Sequence, residues 1–352
     1  MKIYNFALNC GSTEKDDFIR SLKAECKSQQ LSFLWIHEDN VRDIVKKLES
    51  HAIEVHVLLD IGATYHLDKD WYARVCYAVK DAGGVVINDP DRTKSAIDKS
   101  VMHFELQHAN IPTPYTIVVR NWEPHSFRLT AEEKQRLGVP FVIKPALGYA
   151  RKGVICDARP TIREIADARN FDRGDNFLLQ KKIEPYQFGE KRSWFRVLNV
   201  FDTIVPCWWD DRRNVYDHID YEEFNRFRLL PLVKMTAQIA AISRMAWFST
   251  EIAFEKKNGK ARFVVIDYVN DQCDMTTKSE SKTGVPDDVV HFVAESIVCA
   301  ALNIIQHQPL SKKYTVFLKG ANLEIRGLGQ SPDLVRQSNP DEQQHRFISE
   351  SR

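Results

Sequence analysis

Four oxygen-bearing side chains stand within eight residues directly after a strand-like segment. The segment Phe263–Ile266 is an unbroken run of aromatic and β-branched residues, the composition of a buried strand. The side chains that follow it are Asp267, Asn270, Asp271 and Asp274. Carboxylate and amide oxygens suit Mg²⁺, which usually completes its coordination shell with water and phosphates. The pattern indicates either a magnesium site or the solvated acidic end of a strand.

A second strand-like segment precedes this one and adds another carboxylate. It spans Phe248–Phe254 and carries Glu251. The connection between the two segments, Lys256–Lys260, contains an Asn-Gly pair, which is the strongest short-range signal of a β-hairpin. We therefore predict that the two strands are antiparallel neighbours and that Glu251 lies close to Asp267.

Another group of residues has the chemistry to surround phosphates. Lys144 closes the apolar strand-like run Phe141–Ile143, a position that solubility explains poorly. A basic loop, Gly148–Gly153, follows it and carries Arg151 and Lys152 between its glycines. Backbone N–H groups and basic side chains in such a loop can cover phosphates.

Composition and charge narrow the class of protein. The chain has 352 residues, 43% hydrophobic and 28% charged, as in globular proteins of two or three domains. Its net charge of +1 gives no electrostatic reason to expect nucleic acid. The most apolar stretch, Val289–Ile305, is interrupted by polar residues, so we predict no membrane segment. Seven cysteines without Cys-x-x-Cys spacing predict a reduced, cytoplasmic protein.

The first 90 residues alternate strand-like and helical segments. The apolar runs are Ile3–Leu8, Ser32–Ile36, Val55–Asp60 and Val85–Asn88. Polar segments of helical period lie between them, near 14–29, 38–50 and 70–82. Because parallel strands need helical crossovers, this alternation predicts a small parallel α/β domain. No Gly-x-Gly-x-x-Gly occurs in it, so we expect no dinucleotide site.

Beyond residue 90 the pattern predicts further strands and three longer helices. The predicted strands are Thr113–Val119, Phe141–Lys144, Val154–Cys156, Phe177–Ile183, Ser193–Val200 and Thr203–Trp209. The predicted helices are Thr93–Ala109, Phe224–Met245 and Pro286–Gln306. Residues 331–352 are polar and without periodicity, which indicates a loose tail. We predict domains at 1–90, 91–185 and 186–310, followed by a partly disordered extension over 311–352.

The order of several short motifs resembles a known superfamily. Along the chain come Asn-Asp-Pro, a helix with Asp-Lys, Ile-Pro-Thr-Pro, Val-Ile-Lys-Pro, the glycine-flanked loop, Leu-Leu-Gln-Lys-Lys-Ile, Glu251 and Val-Ile-Asp-x-x-Asn. Over about residues 85–305 this order resembles the ATP-grasp superfamily, most closely the ribosomal-protein glutamate ligases and related carboxylate–amine ligases. The resemblance implies an α/β (α+β) fold, with a parallel domain followed by a two-lobed ATP-grasp module of antiparallel sheets.

The resemblance also implies phosphate-binding residues. Lys99 and Lys144 match the two lysines that contact nucleotide phosphates. Arg196 matches the phosphate-stabilising arginine, with Arg192 as the fallback, although a structural salt bridge also explains Arg196. The implied lid over the phosphates contains Gly148, Arg151, Lys152 and Gly153.

The remaining implied residues would hold adenine and metal. The adenine-holding strand contains Gln180, Lys181 and Ile183. The ligands of Mg²⁺ or Mn²⁺ would be Glu251, Asp267 and Asn270.

The spacing of the last two ligands departs from the family pattern. Asp267 and Asn270 are three residues apart, so on a regular strand they would point to opposite faces. Either a β-bulge near Tyr268 realigns them, or Asn270 pairs with Asp271 or Glu251 while Asp267 supports the site from outside. We favour the bulge.

The activity implied by the resemblance is ATP-dependent ligation. A small-molecule or peptide carboxylate would be joined to an amine through an acyl phosphate, with release of ADP and phosphate. Two alternatives remain open at this point: an ATP-grasp small-molecule kinase, and a non-catalytic ATP-binding module. The sequence also leaves a homo-oligomer open, and neither the acid nor the amine is identified.

Overall fold

The chain divides into two compact units. The computed structural model describes residues 1–11, 16–67, 69–257, 259–308, 314–326 and 333–337. Unit 1 comprises Met1–Arg92, Phe195–Ser249 and Asp271–Arg352, and unit 2 comprises Thr93–Trp194 and Thr250–Asn270. Except for Arg196, the predicted site residues all belong to unit 2. The four domain limits given above stay a prediction.

The N-terminal part of unit 1 is a four-stranded parallel sheet with helical crossovers. Its elements are β1 Lys2–Asn9, α1 Asp17–Ser28, β2 Phe33–Ile36, α2 Val41–Glu49, β3 Ile53–Asp60, α3 Trp71–Asp81, β4 Val85–Ile87 and α4 Pro90–Ala96, which ends in unit 2. The strand order is β2-β1-β3-β4, and each neighbouring pair is parallel. Helix α2 buries Val41, Ile44, Val45 and Leu48, one face at helical spacing. The predicted parallel α/β domain is confirmed.

The later part of unit 1 is a mixed sheet with three helices. Its elements are β11 Trp194–Val200, β12 Thr203–Asp210, β13 Val215–His218, α8 Tyr221–Arg226, α9 Leu230–Ser243, α10 Asp287–Ile305, β16 Tyr314–Leu318, β17 Ala321–Arg326 and β18 Asp333–Gln337. The order is β11-β12-β16-β17-β18, with β13 on β12. Strands β11 and β12 are antiparallel, as predicted, and β12 and β16 are parallel. The predicted tail lies outside the described residues except for β18.

Helix α10 has the length and composition of a membrane span. It is 19 residues long, and 44% of its most apolar window is buried. Its buried face includes Val289, Val293 and Ile297, and the helix packs against α1, β1 and β3. A core helix therefore accounts for the same composition.

Unit 2 contains an antiparallel sheet, a small hairpin and a long hairpin. Its elements are α5 Lys99–His108, β5 Thr116–Val119, α6 Ala131–Leu137, β6 Phe141–Pro145, β7 Ile155–Ala158, α7 Ile162–Arg169, β8 Phe177–Lys181, β9 Gln187–Phe188, β10 Lys191–Arg192, β14 Trp247–Lys257 (which begins in unit 1) and β15 Lys260–Asn270. The antiparallel sheet has the order β5-β8-β6-β7. Neighbouring strands β14 and β15 form the predicted hairpin; Asn258 lies outside the described residues, and Gly259 has a φ of +75°.

Two helices that the sequence predicts as continuous are each divided. The helix predicted over 93–109 is α4 followed by α5, because the Asp98 carboxylate accepts hydrogen bonds from the N–H groups of Ser100 and Val101 and begins a new helix. The helix predicted over 224–245 is α8 followed by α9. Arg228 there has a φ of +53°, and Pro231, which lacks an N–H group, stands at the start of α9.

A buried arginine fixes one loop of unit 2, and its removal should destabilise the protein. The Arg169 guanidinium is 4% exposed and donates to the carbonyl oxygens of Arg120, Glu123 and Pro124 at 2.7–3.1 Å. We expect Arg169→Ala to lower the free energy of unfolding by about 2–3 kcal/mol, because these carbonyls lose a charged donor. Urea unfolding measures the change.

A matched control lies on the same helix. The Arg163 side chain is 93% exposed and lies 3.7 Å from Asp167. An exposed ion pair of this kind contributes little, so Arg163→Ala should change the free energy by less than about 0.5 kcal/mol. Equal effects of the two variants would contradict a structural role for Arg169.

Candidate active site

A buried ammonium group lies at the end of β6. Lys144 is 7% exposed, its Nζ donates to the carbonyl oxygen of Ile266 at 2.8 Å, and it lies 4.0 Å from Oδ1 of Asp267. Burial lowers the pKa of Lys144 to about 8, Asp267 and Glu251 raise it, and Lys99 lowers it. β6 and β15 therefore meet at a charge held out of water, and the two bonded residues are 122 positions apart in sequence.

The two predicted carboxylate ligands lie on the neighbouring strands β14 and β15. Trp194 donates its indole N–H to Oε2 of Glu251 at 3.0 Å. The Thr250 hydroxyl donates to the carbonyl oxygen of Asp267 at 2.8 Å, so the strand segment that carries Glu251 lies beside Asp267. Both carboxylates also act electrostatically on Lys144. Their predicted proximity is supported by these contacts.

Asn270 ends strand β15, and its role in a metal site stays a prediction. Tyr268 and Val269 are both buried, whereas Asp267 and Asn270 are both partly exposed. Two buried residues in succession depart from the simple in–out alternation of a strand. The predicted bulge near Tyr268 stays a prediction too.

These donors fit a hard divalent cation. In the part of the chain that the structure describes, no group of three or more His, Cys, Asp or Glu side chains could hold a metal. The predicted set is of another kind, with two carboxylates and one amide. Carboxylate and amide oxygens are the donors that Mg²⁺ takes when phosphates complete its shell.

A buried polar cluster supports the strand beside Lys144. The hydroxyl of Tyr268 lies 2.8 Å from Nδ1 of His103 and accepts from Nε2 of Gln180 at 3.2 Å. Nε2 of Gln180 also donates to Oγ1 of Thr116 at 3.3 Å. Burial first, and Lys144 second, lower the pKa of His103 to about 4, so the imidazole is neutral at pH 7. This cluster joins α5, β5, β8 and β15 behind the ammonium group of Lys144.

Lys99 reaches the base of the predicted lid, which we define as Gly148–Gly153. Its Nζ donates to the carbonyl oxygen of Gly148 at 2.7 Å, and its backbone N–H donates to Ala146 at 3.0 Å. It is the first residue of α5, so its position follows from the Asp98 cap. The structure therefore brings Lys99, the lid and the end of β6 together.

The lid itself is an exposed loop of unusual backbone conformation. Ala150 and Arg151 have φ values of +48° and +59°, a region that side chains other than glycine rarely adopt. Gly153 has a φ of +73°, and a Cβ there would come within 2.6 Å of the Phe171 ring. Glycine is therefore required at 153. Lys152 donates to the hydroxyl of Tyr149 at 3.1 Å.

The three residues predicted to hold adenine each make a different kind of contact within unit 2. The side chain of Gln180 is buried in the polar cluster described above. Lys181 donates its backbone N–H to Tyr115 at 2.8 Å, as part of the sheet. Ile183 is 6% exposed and packs with Ala253 and Val264. Adenine binding by these residues stays a prediction.

The two candidate arginines lie in different units. Arg192 is in the short hairpin β9–β10 of unit 2, where it pairs with Gln187. Arg196 is in β11 of unit 1; it donates to the Tyr216 hydroxyl at 3.1 Å and lies 4.6 Å from the Trp209 ring. The phosphate role of Arg196 stays a prediction.

Sequence reasoning missed the supporting residues of this site. His103 and Trp194 carry no motif, and their partners are 165 and 57 residues away in sequence. Tyr268 lies inside the acidic motif, but only the fold shows that its hydroxyl points into a polar cluster. Asp98 had a local signal, since Asp-Lys-Ser before an apolar period is a helix start.

Comparison with known proteins gives structural likeness without sequence likeness. No family model and no curated protein matches the chain. D-alanine–D-alanine ligase from Bacillus anthracis, complexed with ATP, is 15% identical with a TM-score of 0.57; the match covers 88% of this chain and 100% of that one. A RimK domain ATP-grasp protein from Sphaerobacter thermophilus is 16% identical with a TM-score of 0.57, covering 85% and 98%.

Two further structures match over similar spans. D-cycloserine synthetase DcsG is 14% identical with a TM-score of 0.58, covering 85% of this chain and 99% of that one. The ATP-grasp ligase PsnB, complexed with a minimal precursor, Mg and ADP, is 12% identical with a TM-score of 0.53, covering 84% and 98%. At these identities the likeness shows a shared fold.

The hydroxyl of Tyr268 in the buried polar cluster should contribute to the stability of the protein. Tyr268→Phe removes the oxygen that Gln180 and His103 share, in a position without access to water. We expect a loss of about 1–2 kcal/mol in the free energy of unfolding, measured in urea. Tyr186→Phe, at a side chain 42% exposed in the same unit, is the control and should change it by less than about 0.5 kcal/mol. If Tyr268→Phe left the free energy of unfolding unchanged, the cluster would not stabilise strand β15.

Proposed function

We propose that this chain, which has the ATP-grasp fold, is an ATP-dependent ligase that joins a carboxylate to an amine. The observation that carries the proposal is Lys144, a buried ammonium group beside Asp267 and Glu251, with Lys99 at the lid base. The neighbours of like fold support it, because they include ligases whose structures hold ATP, or Mg and ADP.

The two lysines would bind the phosphates of ATP. An ammonium group held away from water interacts more strongly with a phosphate than an exposed one, because the local dielectric constant is lower. Nucleotide binding would also stabilise the charge that burial disfavours on Lys144, since a phosphate raises the pKa of a nearby lysine. The lid would add Arg151, Lys152 and backbone N–H groups from above.

The metal would be held by Glu251 and Asp267, with Asn270 as the third ligand. When bound, Mg²⁺ would neutralise phosphate charge and orient the γ-phosphoryl group. The Trp194 indole and the Thr250 hydroxyl fix the two carboxylate strands in place. Outer contacts of this kind orient ligands before metal arrives.

The chemistry needs positioning rather than a protein nucleophile. The substrate carboxylate would attack the γ-phosphorus and release ADP, and an amine would then displace phosphate from the acyl phosphate to form the amide. The closed lid would keep water from the acyl phosphate. Cys273 stands near the acidic motif, but burial raises the pKa of its thiol to about 12, so it is not ionised at neutral pH.

The proposal is tested by trapping the acyl phosphate. Wild-type protein is supplied with ATP, Mg²⁺, hydroxylamine and panels of amino acids and short peptides, and both ADP and hydroxamate are measured. We expect equal amounts of the two with the correct carboxylate. Lys144→Ala should lower the rate at least about 100-fold, the loss typical of removing one electrostatic contact to the reacting group. Lys134→Ala, exposed on α6, is the control and should match wild type.

Two other outcomes would overturn the ligase assignment. ADP with a phosphorylated product that is stable to hydroxylamine would identify a small-molecule kinase. Tight ATP binding with no ADP release for any substrate mixture would identify a non-catalytic ATP-binding module. Either result would keep the nucleotide site and replace the reaction.

A further inference from the structure

Three consecutive residues at the base of the lid are each tied down. Ala146 donates its N–H to Asn176 at 2.8 Å and accepts from the N–H of Lys99 at 3.0 Å. Leu147 donates its N–H to Oδ2 of Asp175 at 2.8 Å. Gly148 accepts from Nζ of Lys99 at 2.7 Å. We call Ala146–Gly148 the lid root.

Beyond the lid root, two further backbone hydrogen bonds are local to the loop and its end. Lys152 donates its N–H to Tyr149, and Val154 donates to Arg151. Tyr149 is 57% exposed. The exposed residues of the loop therefore follow directly after three residues that are bonded to α5 and to the turn before β8.

Among these anchors Asp175 is the buried carboxylate. It is 6% exposed and lies in the turn before β8, where its N–H reaches the carbonyl oxygen of Asp172 at 3.3 Å. Its carboxylate also accepts a hydrogen bond from the backbone of Asn176. The side chain of Asn176 donates to Ser100 at 3.0 Å, so the same turn is fixed to α5. The carboxylate thus sits on a rigid base and faces the lid root.

We propose that Asp175 is a positioning residue for the nucleotide lid: its negative charge holds the N–H of Leu147 and thereby sets how readily the loop 149–153 opens. An N–H bond to a carboxylate is stronger than one to a neutral oxygen. Loss of the charge would therefore free the first mobile residues of the lid without disturbing β8. The inference rests on the proposed function for the meaning of the lid, but its test needs neither nucleotide nor substrate.

The charges around Asp175 disfavour its ionised form. Burial raises its pKa to about 6, the hydrogen bonds from Leu147 and Asn176 lower it, and Asp98 and Asp172 raise it. The lid root also carries a cation, Lys99, whose ammonium group is bonded to the carbonyl oxygen of Gly148. Because the pKa is raised above the unfolded value of 3.8, the ionised group makes the fold less stable as pH rises through this window. The ionised carboxylate of Asp175 therefore does not add to the overall stability of the fold. The proposed local role at the lid gives a reason for a carboxylate at this position.

Hydrogen exchange of the unliganded full-length protein tests the proposal. Exchange rates of amides in 147–153 are divided by the intrinsic rates of an unstructured peptide at the same pH. Asp175→Asn should speed lid exchange about tenfold at pH 7.5, the effect of weakening one charge-assisted bond, with exchange in 177–181 unchanged. Asp167→Asn, at a carboxylate on α7 whose side chain is 64% exposed, is the control and should match wild type.

The pH dependence separates positioning from mere packing. In wild type, lid protection should fall as pH drops from 7.5 through about 6 to 5, because the carboxylate becomes protonated. Asp175→Asn should show no such step. If the variant does not fold, the wild-type profile alone decides. A wild-type lid whose corrected exchange is flat over this range, or a folded Asp175→Asn protein with wild-type lid exchange, would overturn the proposal.

Discussion

The account depends on one desolvated charge, the ammonium group of Lys144. A buried lysine is costly unless it is bonded and paired, and here it has a carbonyl oxygen at 2.8 Å and a carboxylate at 4.0 Å. Asp267 stabilises the charge while burial opposes it, so the group stays short of full compensation. That imbalance suits the proposed role of Lys144 in binding an anion such as phosphate. The two groups in contact with Lys144, the carbonyl oxygen of Ile266 and the carboxylate of Asp267, both belong to β15. The strand proposed to hold the metal therefore also fixes the position of the lysine.

The elements of unit 2 are arranged to keep this charge and the lid in place. The hairpin β14–β15 brings two carboxylates beside β6, and the Tyr268 cluster ties β15 to α5, β5 and β8. Helix α5 contributes at both ends of the site, with His103 in the cluster and Lys99 at the lid root. A single helix start, fixed by Asp98, therefore positions two separate parts of the machinery.

Much of this arrangement was predictable from sequence because its signals are local. Apolar runs predicted the strands, and the Asn-Gly pair predicted the hairpin. The order of the motifs predicted the fold, and the structural neighbours confirm that fold. The prediction of two continuous helices was wrong because a cap at Asp98 and a left-handed residue at Arg228 override helical periodicity. The partners of Lys144 and Tyr268 could not be found from sequence, because those contacts join residues 88, 122 and 165 positions apart. The roles of Arg196 and Asn270 remain predictions.

The most direct test of the central claim is a thermal melt of wild type and Lys144→Ala, each with and without ATP and Mg²⁺. A ligand at 100 times its Kd stabilises the native state by about 2.7 kcal/mol, a readily measured shift in Tm. The account predicts a shift of the wild type that requires both ATP and Mg²⁺ and that is absent in Lys144→Ala, whose unliganded Tm shows that it is folded. Equal shifts in the two proteins, or none in the wild type, would contradict an ATP site built on Lys144.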